Sequence, residues 1–404
     1  MTTGPAPRTP HAIISGAGIG GPALAHQLNS RGWRTTVIER FPQRRDEGQN
    51  VDIRGAAREV VRRMGIDGDV RAATTGEIGT RFLRADGSPA ASFPVGSAGE
   101  ADGPTAELEI LRGELSRILV ERTQLDTDYR FGTQIVDVTD QDDRVQVRLS
   151  GGATLDADLL VVAEGLRSRT RRFVDEADVN ELGMYFAYAT IPRVDGDDQW
   201  WNWQHATNHR SVHLRPDNLG TTRAILTFIS DVRGLDDLDP VAQRTILRAT
   251  FADVGGAAPR IPRAIDDGAP MYFSAVGQVR PRRWSNGRVA LLGDSAFCNA
   301  TFGGAGTSLA LIGAYILAGE VATAGDVPSA LNSYRRAMMP FVATAPDVKE
   351  RVLRLANPRS HRGIRLLHAG ARLAAGPVGR AVSALGGARL AGIGGDGPSL
   401  PAYP

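Results

Sequence analysis

One cysteine, Cys298, is all the thiol chemistry that this sequence of 404 residues holds. A lone thiol excludes an intramolecular disulfide framework and fits a reducing, cytoplasmic setting, so the fold must rest on packing. Charge of one sign is missing too. The 47 Lys and Arg are nearly balanced by 45 Asp and Glu, which leaves no net basic field for a nucleic-acid partner. No run of about 18 apolar residues occurs, so no membrane span is expected. The opening MTTGPAPRTP lacks the apolar core of a secretory leader and reads as a short disordered lead. There is no internal repeat, and the sequon at Asn299 reads as chance in a cytoplasmic protein. The remaining composition, 42% apolar and 23% charged, is that of a globular chain with length for one large or two modest domains.

The most informative stretch is residues 11–40, HAIISGAGIGGPALAHQLNSRGWRTTVIER. His11 to Ile14 reads as a short buried strand, a helix follows from about Pro22 to Ser30, and Thr35 to Ile38 is a second strand ending at Glu39. Between strand and helix stands Gly16-x-Gly18-x-x-Gly21, the fingerprint of a dinucleotide-binding βαβ unit. Gly16 permits a tight turn, Gly18 lets backbone approach a pyrophosphate, and Gly21 lets helix pack closely on strand. The helix start then offers N–H groups and partial positive charge to phosphates. Glu39, 18 residues beyond Gly21, is placed to accept from ribose hydroxyls, which favours FAD or NAD over NADP. Glycine-rich turns are common in a chain with 47 glycines, but strand, helix and terminal acid together favour the dinucleotide site over a merely structural turn.

Beyond this unit, Pro42–Glu47 reads as a polar loop, Gln49–Arg54 as a strand and Ala56–Met64 as a helix closed by Gly65. Ile78–Pro94 reads as a hairpin turning at Asp86-Gly87, Ser97–Pro104 as a glycine-rich loop, and Leu108–Gln124 as an amphipathic helix carrying Arg112. Tyr129–Thr139, Val145–Leu149 and Thr154–Ala157 suggest a β-meander, and Leu159–Gly165 a buried parallel strand. The segments Met184–Ile191, Gln199–His205, Arg210–Arg215 and Thr221–Ile229 suggest an antiparallel sheet, followed by a helix over Pro240–Val254. Val289–Leu292 returns to buried-strand texture and leads through a glycine-rich loop into a helix from about Thr307. Pro328–Leu355 reads as helical with a break near Pro340, and the tail as one loose helix and a disordered end.

With three motifs in this order, the chain resembles the FAD-dependent aromatic hydroxylases over about residues 11–345, among them para-hydroxybenzoate hydroxylase, salicylate hydroxylase and the tetracycline-inactivating monooxygenases. Gly16-Ala17-Gly18-Ile19-Gly20-Gly21 with Glu39-Arg40 looks like the family's ADP-binding element. Ala163–Arg171 (AEGLRSRTR) resembles the family's A-D-G-x-x-S-x-x-R element, with Glu164-Gly165 where the family has Asp-Gly. Gly293-Asp294 matches the Gly-Asp pair that holds the ribityl chain, and Gly304-Ala305-Gly306-Thr307-Ser308 the turn against the flavin's pyrimidine end. Arg112 matches an arginine near the ribityl–phosphate region, Asp52 a flavin-contacting aspartate and Arg45 a position used toward NADPH. No second dinucleotide fingerprint is present. The resemblance therefore implies a transient NADPH or NADH donor, with Arg44 and Arg45 supplying charge; the alternative is that this pair lies in a solvated loop.

The resemblance implies an α/β protein. A Rossmann-like FAD-binding domain of the GR2 type (1–75, 105–178 and 275–330) interleaves with an antiparallel-sheet substrate domain (76–104 and 179–274), and C-terminal helices and a tail follow (331–404). Two places depart from the pattern: Ala296-Phe297 stands for Ala-His, and Thr301 for a proline near the flavin face. Trp201, Trp203 and His205 share strand parity and form either the aromatic wall of a ligand pocket or part of the core. Phe302 is assigned to the pocket, and Phe186, Tyr188 and Phe228 to the core. His205, His209 and His213 lack a Cys, Asp or Glu at ligand spacing, so no metal is expected. Cys298 reads as a small buried residue and no nucleophile.

The implied activity is NAD(P)H-using hydroxylation or epoxidation of a bulky aromatic or polyketide-like molecule through a flavin C4a-hydroperoxide formed with O2, the cofactor carrying the chemistry. Alternatives on the same scaffold are a reductase, dehydrogenase or halogenase. Trp201-x-Trp203 lacks the following Ile-Pro of a halogenase element. A flavin- or ligand-sequestering protein without turnover is the reading from another class.

Overall fold

The computed structural model describes residues 8–45, 48–95, 106, 108–300, 304–345, 347–376 and 398–404. The loop expected at 97–104, Thr301 and Phe302 lie outside them. The chain opens with β1 (His11–Ser15), α1 (Gly20–Asn29) and β2 (Arg34–Glu39). Every residue of β1 is buried, as a central parallel strand covered on both faces requires. Next come β3 (Asn50–Ile53), α2 (Ala56–Arg63), α3 (Asp67–Ala72), the hairpin β4 (Gly79–Leu83) and β5 (Pro89–Pro94), β6 (Leu108–Leu111) and α4 (Arg112–Thr123). The helix expected over Leu108–Gln124 thus begins only at Arg112. Leu108–Leu111 are all buried and pair with β3, Asn50 opposite Leu111, so strand pairing overrides helical periodicity.

The strands β7 (Thr127–Phe131), β8 (Ile135–Asp140), β9 (Val145–Leu149), β10 (Thr154–Ala157) and β11 (Leu159–Val162) follow. The expected meander is present as β8, β9 and β10, antiparallel throughout, but its first strand is shorter than the run Tyr129–Thr139. Gly132, with φ 71, breaks the run after Phe131, and β7 pairs in parallel with β2. Next in chain order stand β12 (Asn180–Pro192), β13 (Trp201–Ala206), β14 (Arg210–Pro216), β15 (Thr221–Ile229), α5 (Pro240–Phe251), α6 (Arg260–Asp266) and β16 (Met271–Gln278). The chain continues with β17 (Ser285–Asn286), β18 (Val289–Leu291), α7 (Asp294–Phe297), α8 (Gly306–Thr323), α9 (Val327–Thr344), α10 (Glu350–Ala356) and α11 (His361–Ala375).

One sheet has the order β17-β18-β11-β1-β2-β7, parallel except for the β17–β18 pair. A second has the order β16-β12-β15-β14-β13-β4-β5, antiparallel except where β13 runs parallel to β4. The largest apolar cluster joins β1, β2 and β11 to α1, α4, α8 and α9. A separate one packs the second sheet on α5 and α6 through Tyr185, Leu226, Phe251 and Ile261. The fold is therefore mixed α/β, with a parallel FAD-type sheet, an antiparallel sheet and C-terminal helices.

Two further expectations, the helix break at Pro340 and the disordered tail, need correction. Pro340 does not break its helix: α9 runs through it to Thr344. Pro340 and Arg336 are exposed, so water can satisfy the Arg336 carbonyl that proline leaves without a donor, while buried Tyr334, Met338 and Phe341 hold the helix. The helix α8 has a mean hydropathy of 1.3 over Gly306–Thr323, long and apolar enough by length and composition to span a membrane, although Thr307, Ser308, Glu320 and Thr323 interrupt it. It is 72% buried by protein and packs on α1, α2 and α9. Of the tail, residues 377–397 lie outside the described residues, while 398–404 are ordered: Leu400 and Tyr403 pack on the main core, and Tyr403 Oη donates to Glu320 at 2.7 Å.

Candidate active site

The glycine turn after β1 is tight because a side chain has no room there. A Cβ on Gly16 (φ +114) would lie 2.4 Å from the Ala163 carbonyl oxygen, and one on Gly21 would lie 1.9 Å from the Gly16 carbonyl oxygen. Gly21 thus brings α1 onto β1, while Gly16 to Gly20 border a cavity of about 1720 Å3. No side chain caps α1, so its first N–H groups stay available to that cavity. Glu39 braces the turn: Oε2 accepts the Ala17 N–H at 2.8 Å and Oε1 the Phe41 N–H at 3.0 Å.

Arg112, the first residue of α4, points into the same cavity. Its chain is clasped by glycines, with a Cβ on Gly18 falling 3.3 Å from Nη2 and one on Gly48 3.1 Å from Arg112 Cβ. Among the described residues its guanidinium makes no hydrogen bond or ion pair. Burial holds it below its ordinary pKa, helped by the charge of Arg45. Asp294 faces it from the start of α7, and burial pushes that carboxyl up, against the Cys298 thiol and Arg112. Burial also pushes the Cys298 thiol up, which suits a packing residue and not a nucleophile.

Ser308, on the first turn of α8, ties the remaining wall together. Its hydroxyl accepts the Arg54 N–H at 2.9 Å and donates to the Asp52 carbonyl at 3.2 Å. The Asp52 side chain takes Arg54 Nη2 at 2.8 Å on Oδ2, whereas its buried Oδ1 has no hydrogen-bond partner among the described residues. Glu164 spends both oxygens on protein: Ser15 Oγ and Thr170 Oγ1 each donate at 2.5 Å, Ser168 Oγ at 2.8 Å, and the N–H groups of Arg169 and Thr170 at 3.0 and 3.1 Å. The longer acid is thus the knot of its own loop. Phe297 is buried against Trp284, ring centroids 5.1 Å apart, and belongs to the core.

The cavity wall includes Gly16–Gly20, Glu39, Arg40, Arg45, Asp52, Arg112, Glu164, Gly165, Gly293, Asp294 and Gly304–Ser308. Of the cofactor residues expected from sequence only Gly21 stands behind it. The family model described as FAD binding domain matches residues 9–348 of this chain. The chain is an FAD-dependent monooxygenase of the aromatic hydroxylase family. A flavin-dependent monooxygenase from Phoma sp is 35% identical over 398 residues, covering 90% of this chain and 91% of its own. The tetracycline destructase Tet(55) superposes with a TM-score of 0.77 at 28% identity, over 98% of this chain and 100% of its own. Klebsiella pneumoniae HpxO, solved with FAD and uric acid, shares the fold at 19% identity, with a TM-score of 0.73 over 96% of this chain and 97% of its own.

The wall that the monooxygenase builds from its antiparallel sheet differs from expectation. Trp201 lines the cavity, together with Tyr188, Arg215 and Ile225. Trp203 and His205 do not line it: β13 carries them away toward Phe82, whose ring lies 5.4 Å from Trp203 and 5.2 Å from His205. Nor is Trp201 a bare platform. Arg215 stands 4.1 Å over its ring, and Trp203 stacks on it at 5.4 Å and 7°, so a flat ligand would compete with both. Phe186 and Phe228 are buried in apolar clusters as expected, but Tyr188 reaches the cavity. His209 lies in the β13–β14 turn with φ 60, its Nδ1 2.5 Å from the Asn357 carbonyl.

Sequence reasoning also missed the acids beneath Arg215. Its Nε donates to Glu77 Oε2 at 2.8 Å and its Nη2 to Glu109 Oε1 at 2.6 Å, and both acids are buried. Burial, against the attraction of Arg215, pushes Glu109 up to about 8. The signal was an acid inside the apolar run Leu108–Leu111, read as a helix face. Arg44 and Arg45 both line the cavity. Arg44 Nη1 donates to the Gly113 carbonyl at 2.9 Å, and Arg45 lies over the rings of Phe41 and Tyr272 at 4.7 and 5.4 Å, which is not a solvated loop.

Proposed function

We propose that this monooxygenase takes electrons from NADPH or NADH and hydroxylates or epoxidises a bulky aromatic or polyketide-like molecule. The observation that carries the reading is one continuous cavity of about 1720 Å3, walled by both sheets. Ligand pockets run to about 300–1,000 Å3, so this one has room for a dinucleotide and a second molecule. An available helix start, a half-buried guanidinium without a partner among the described residues and a half-buried carboxyl form a donor and acceptor set suited to FAD. In this reading Gly16–Gly20 and Arg112 take the pyrophosphate, Glu39 and Arg40 border the adenosine ribose, Asp294 takes ribityl hydroxyls, and Asp52 and Gly304–Ser308 border the ring. Bound FAD supplies two-electron redox chemistry and oxygen activation.

The chain's own residues then position and shield. Arg44 and Arg45 offer positive charge at the cavity edge for a nicotinamide nucleotide that binds in passing. Residues 76–104 and 179–274 act as the substrate module, with Tyr188, Trp201, Arg215 and Ile225 toward the substrate. Burial keeps the Tyr188 phenol protonated, so its hydroxyl can donate to a carbonyl or phenolate oxygen. The similarity to a tetracycline destructase supports a fused-ring size class.

The test is anaerobic reduction of the yellow holoenzyme by NADPH and by NADH, followed by labelled O2 with tetracycline and a panel of fused-ring phenols. One labelled oxygen atom in an organic product is expected. Hydrogen peroxide as the sole oxygen product across the panel would overturn the substrate class.

A further inference from the structure

Trp201 is held by a chain of hydrogen bonds that runs in one direction only. Its Nε1 lies 3.2 Å from His213 Nδ1, and His213 Nε2 lies 2.8 Å from Ser211 Oγ. Ser211 Oγ donates to Asn357 Oδ1 at 2.9 Å and lies 2.5 Å from Thr227 Oγ1. Asn357 Nδ2 donates to the Leu353 carbonyl at 3.1 Å, which fixes which end of the amide faces Ser211. An indole N–H can only donate, so Nδ1 of His213 must accept and its single proton must sit on Nε2. That proton goes to Ser211, whose own proton goes to Asn357, and Thr227 fills the second lone pair of Ser211. The directions are mutually consistent: the other His213 tautomer would set two N–H donors against each other at Trp201, and turning the Ser211 hydroxyl away would set two acceptors against each other at Asn357.

His213, Ser211 and Thr227 are 0% exposed and Asn357 is 1% exposed. Four buried polar side chains are costly unless all are satisfied, and apolar residues would fill strand positions at less cost. The chain links the Trp201 wall to Asn357, which caps α10 on its C-terminal side.

We propose that His213 is a positioning residue for the substrate end of the cavity: as a neutral acceptor it fixes the Trp201 indole beside Arg215, and Ser211 and Asn357 couple that wall to α10. The proposal rests on the reading of the Trp201–Arg215 wall as the substrate's side, and the test below does not depend on turnover. Burial supports it, holding His213 well below the ordinary histidine pKa.

The test is nitrogen-15 NMR of histidine-labelled holoenzyme, with fluorotryptophan NMR in parallel and Trp201→Phe assigning the Trp201 line. We expect His213 in the Nε2–H form throughout the range between about pH 5 and 8, where an ordinary histidine titrates. His213→Phe shifts or splits the Trp201 line, His213→Gln, which keeps an acceptor, restores a single line, and Asn357→Ala moves it from the far end of the chain. A His213 that titrates in that range, or carries its proton on Nδ1, overturns the proposal, as does a Trp201 line indifferent to His213→Phe. If His213→Phe fails to fold, the tautomer of the unsubstituted protein decides alone. Failure of the substrate reading shows separately, as oxygen transfer to no member of the panel, and leaves these spectra unchanged.

Discussion

Glu39 accepts the Ala17 N–H at 2.8 Å, so the acid that ends β2 also holds the glycine turn in shape. The ribose contact expected of it is then only part of its work, because the other oxygen takes the Phe41 N–H. A hydrogen bond to a charged group is worth about 1.5–3 kcal/mol, and about 1.4 kcal/mol is tenfold in affinity. Glu39→Ala should therefore raise the FAD dissociation constant by about tenfold or more and lower the melting temperature even without FAD. Flavin fluorescence titration of apoprotein and thermal unfolding check the two parts separately. Unchanged FAD affinity would remove Glu39 from the cofactor site and leave it as a brace.

Arg112 should behave in the opposite way in the apoprotein. Its guanidinium makes no ion pair among the described residues, and burial penalises its charge. An unpaired buried charge costs stability, so Arg112→Met should leave the apoprotein as stable as the parent or more so, while FAD binding weakens by about tenfold or more. Thermal unfolding with and without excess FAD distinguishes this from a structural arginine, whose loss would lower both curves.

Much of this site could be read from the sequence because its chemistry is carried by backbone. A glycine turn, a helix start and a Gly-Asp pair leave local marks, and Gly16, Asp294 and Gly304–Ser308 stand together in one wall. The wall from the second sheet was less legible, since it depends on register. Trp201, Trp203 and His205 do share a face, yet only the direction of β13 decides that Trp201 alone meets the cavity. Arg215 follows the same rule: Asn202 stands opposite Leu214, which brings Arg215 beside Trp201, and nothing local in the sequence announces that pairing. Leu108–Leu111 failed for a related reason, its partner β3 lying far away in the chain.

The Glu109 carboxyl makes stability depend on pH. Its folded pKa is pushed up to about 8 from the ordinary 4.5, so the folded state holds a proton that the unfolded chain has released. Stability from this group is complete below about pH 4.5 and is lost as pH rises through about 8. The charged neighbours are Arg215, Glu77 and Asp52, with the Thr75 hydroxyl donating to Glu109 at 2.5 Å. Glu109→Gln should flatten the fall in stability between these pH values and be no less stable than the parent at the upper end. Urea unfolding at several pH values checks this, and a parallel fall in the variant would assign the pH dependence elsewhere.

The ordered chain end supports a last prediction. Gly319 leaves a notch in α8 where a Cβ would lie 2.2 Å from the Tyr403 ring. Tyr403 Oη donates to Glu320, and Tyr315 Oη donates to the Pro401 carbonyl at 2.9 Å. Pro398 to Leu400 then line the cavity. Removing residues 398–404 should lower the melting temperature by several degrees, since large-to-small losses cost about 2–5 kcal/mol and about 1 kcal/mol shifts Tm by about 2–4 °C in a domain of this size. FAD should also be released more readily. Gly319→Ala should reproduce most of the loss with the chain end present, by expelling the Tyr403 ring from its notch. Combined, the two changes should cost little more than either alone, because both act through one contact. Full additivity would mean that the chain end stabilises the monooxygenase by some route other than the Tyr403 notch.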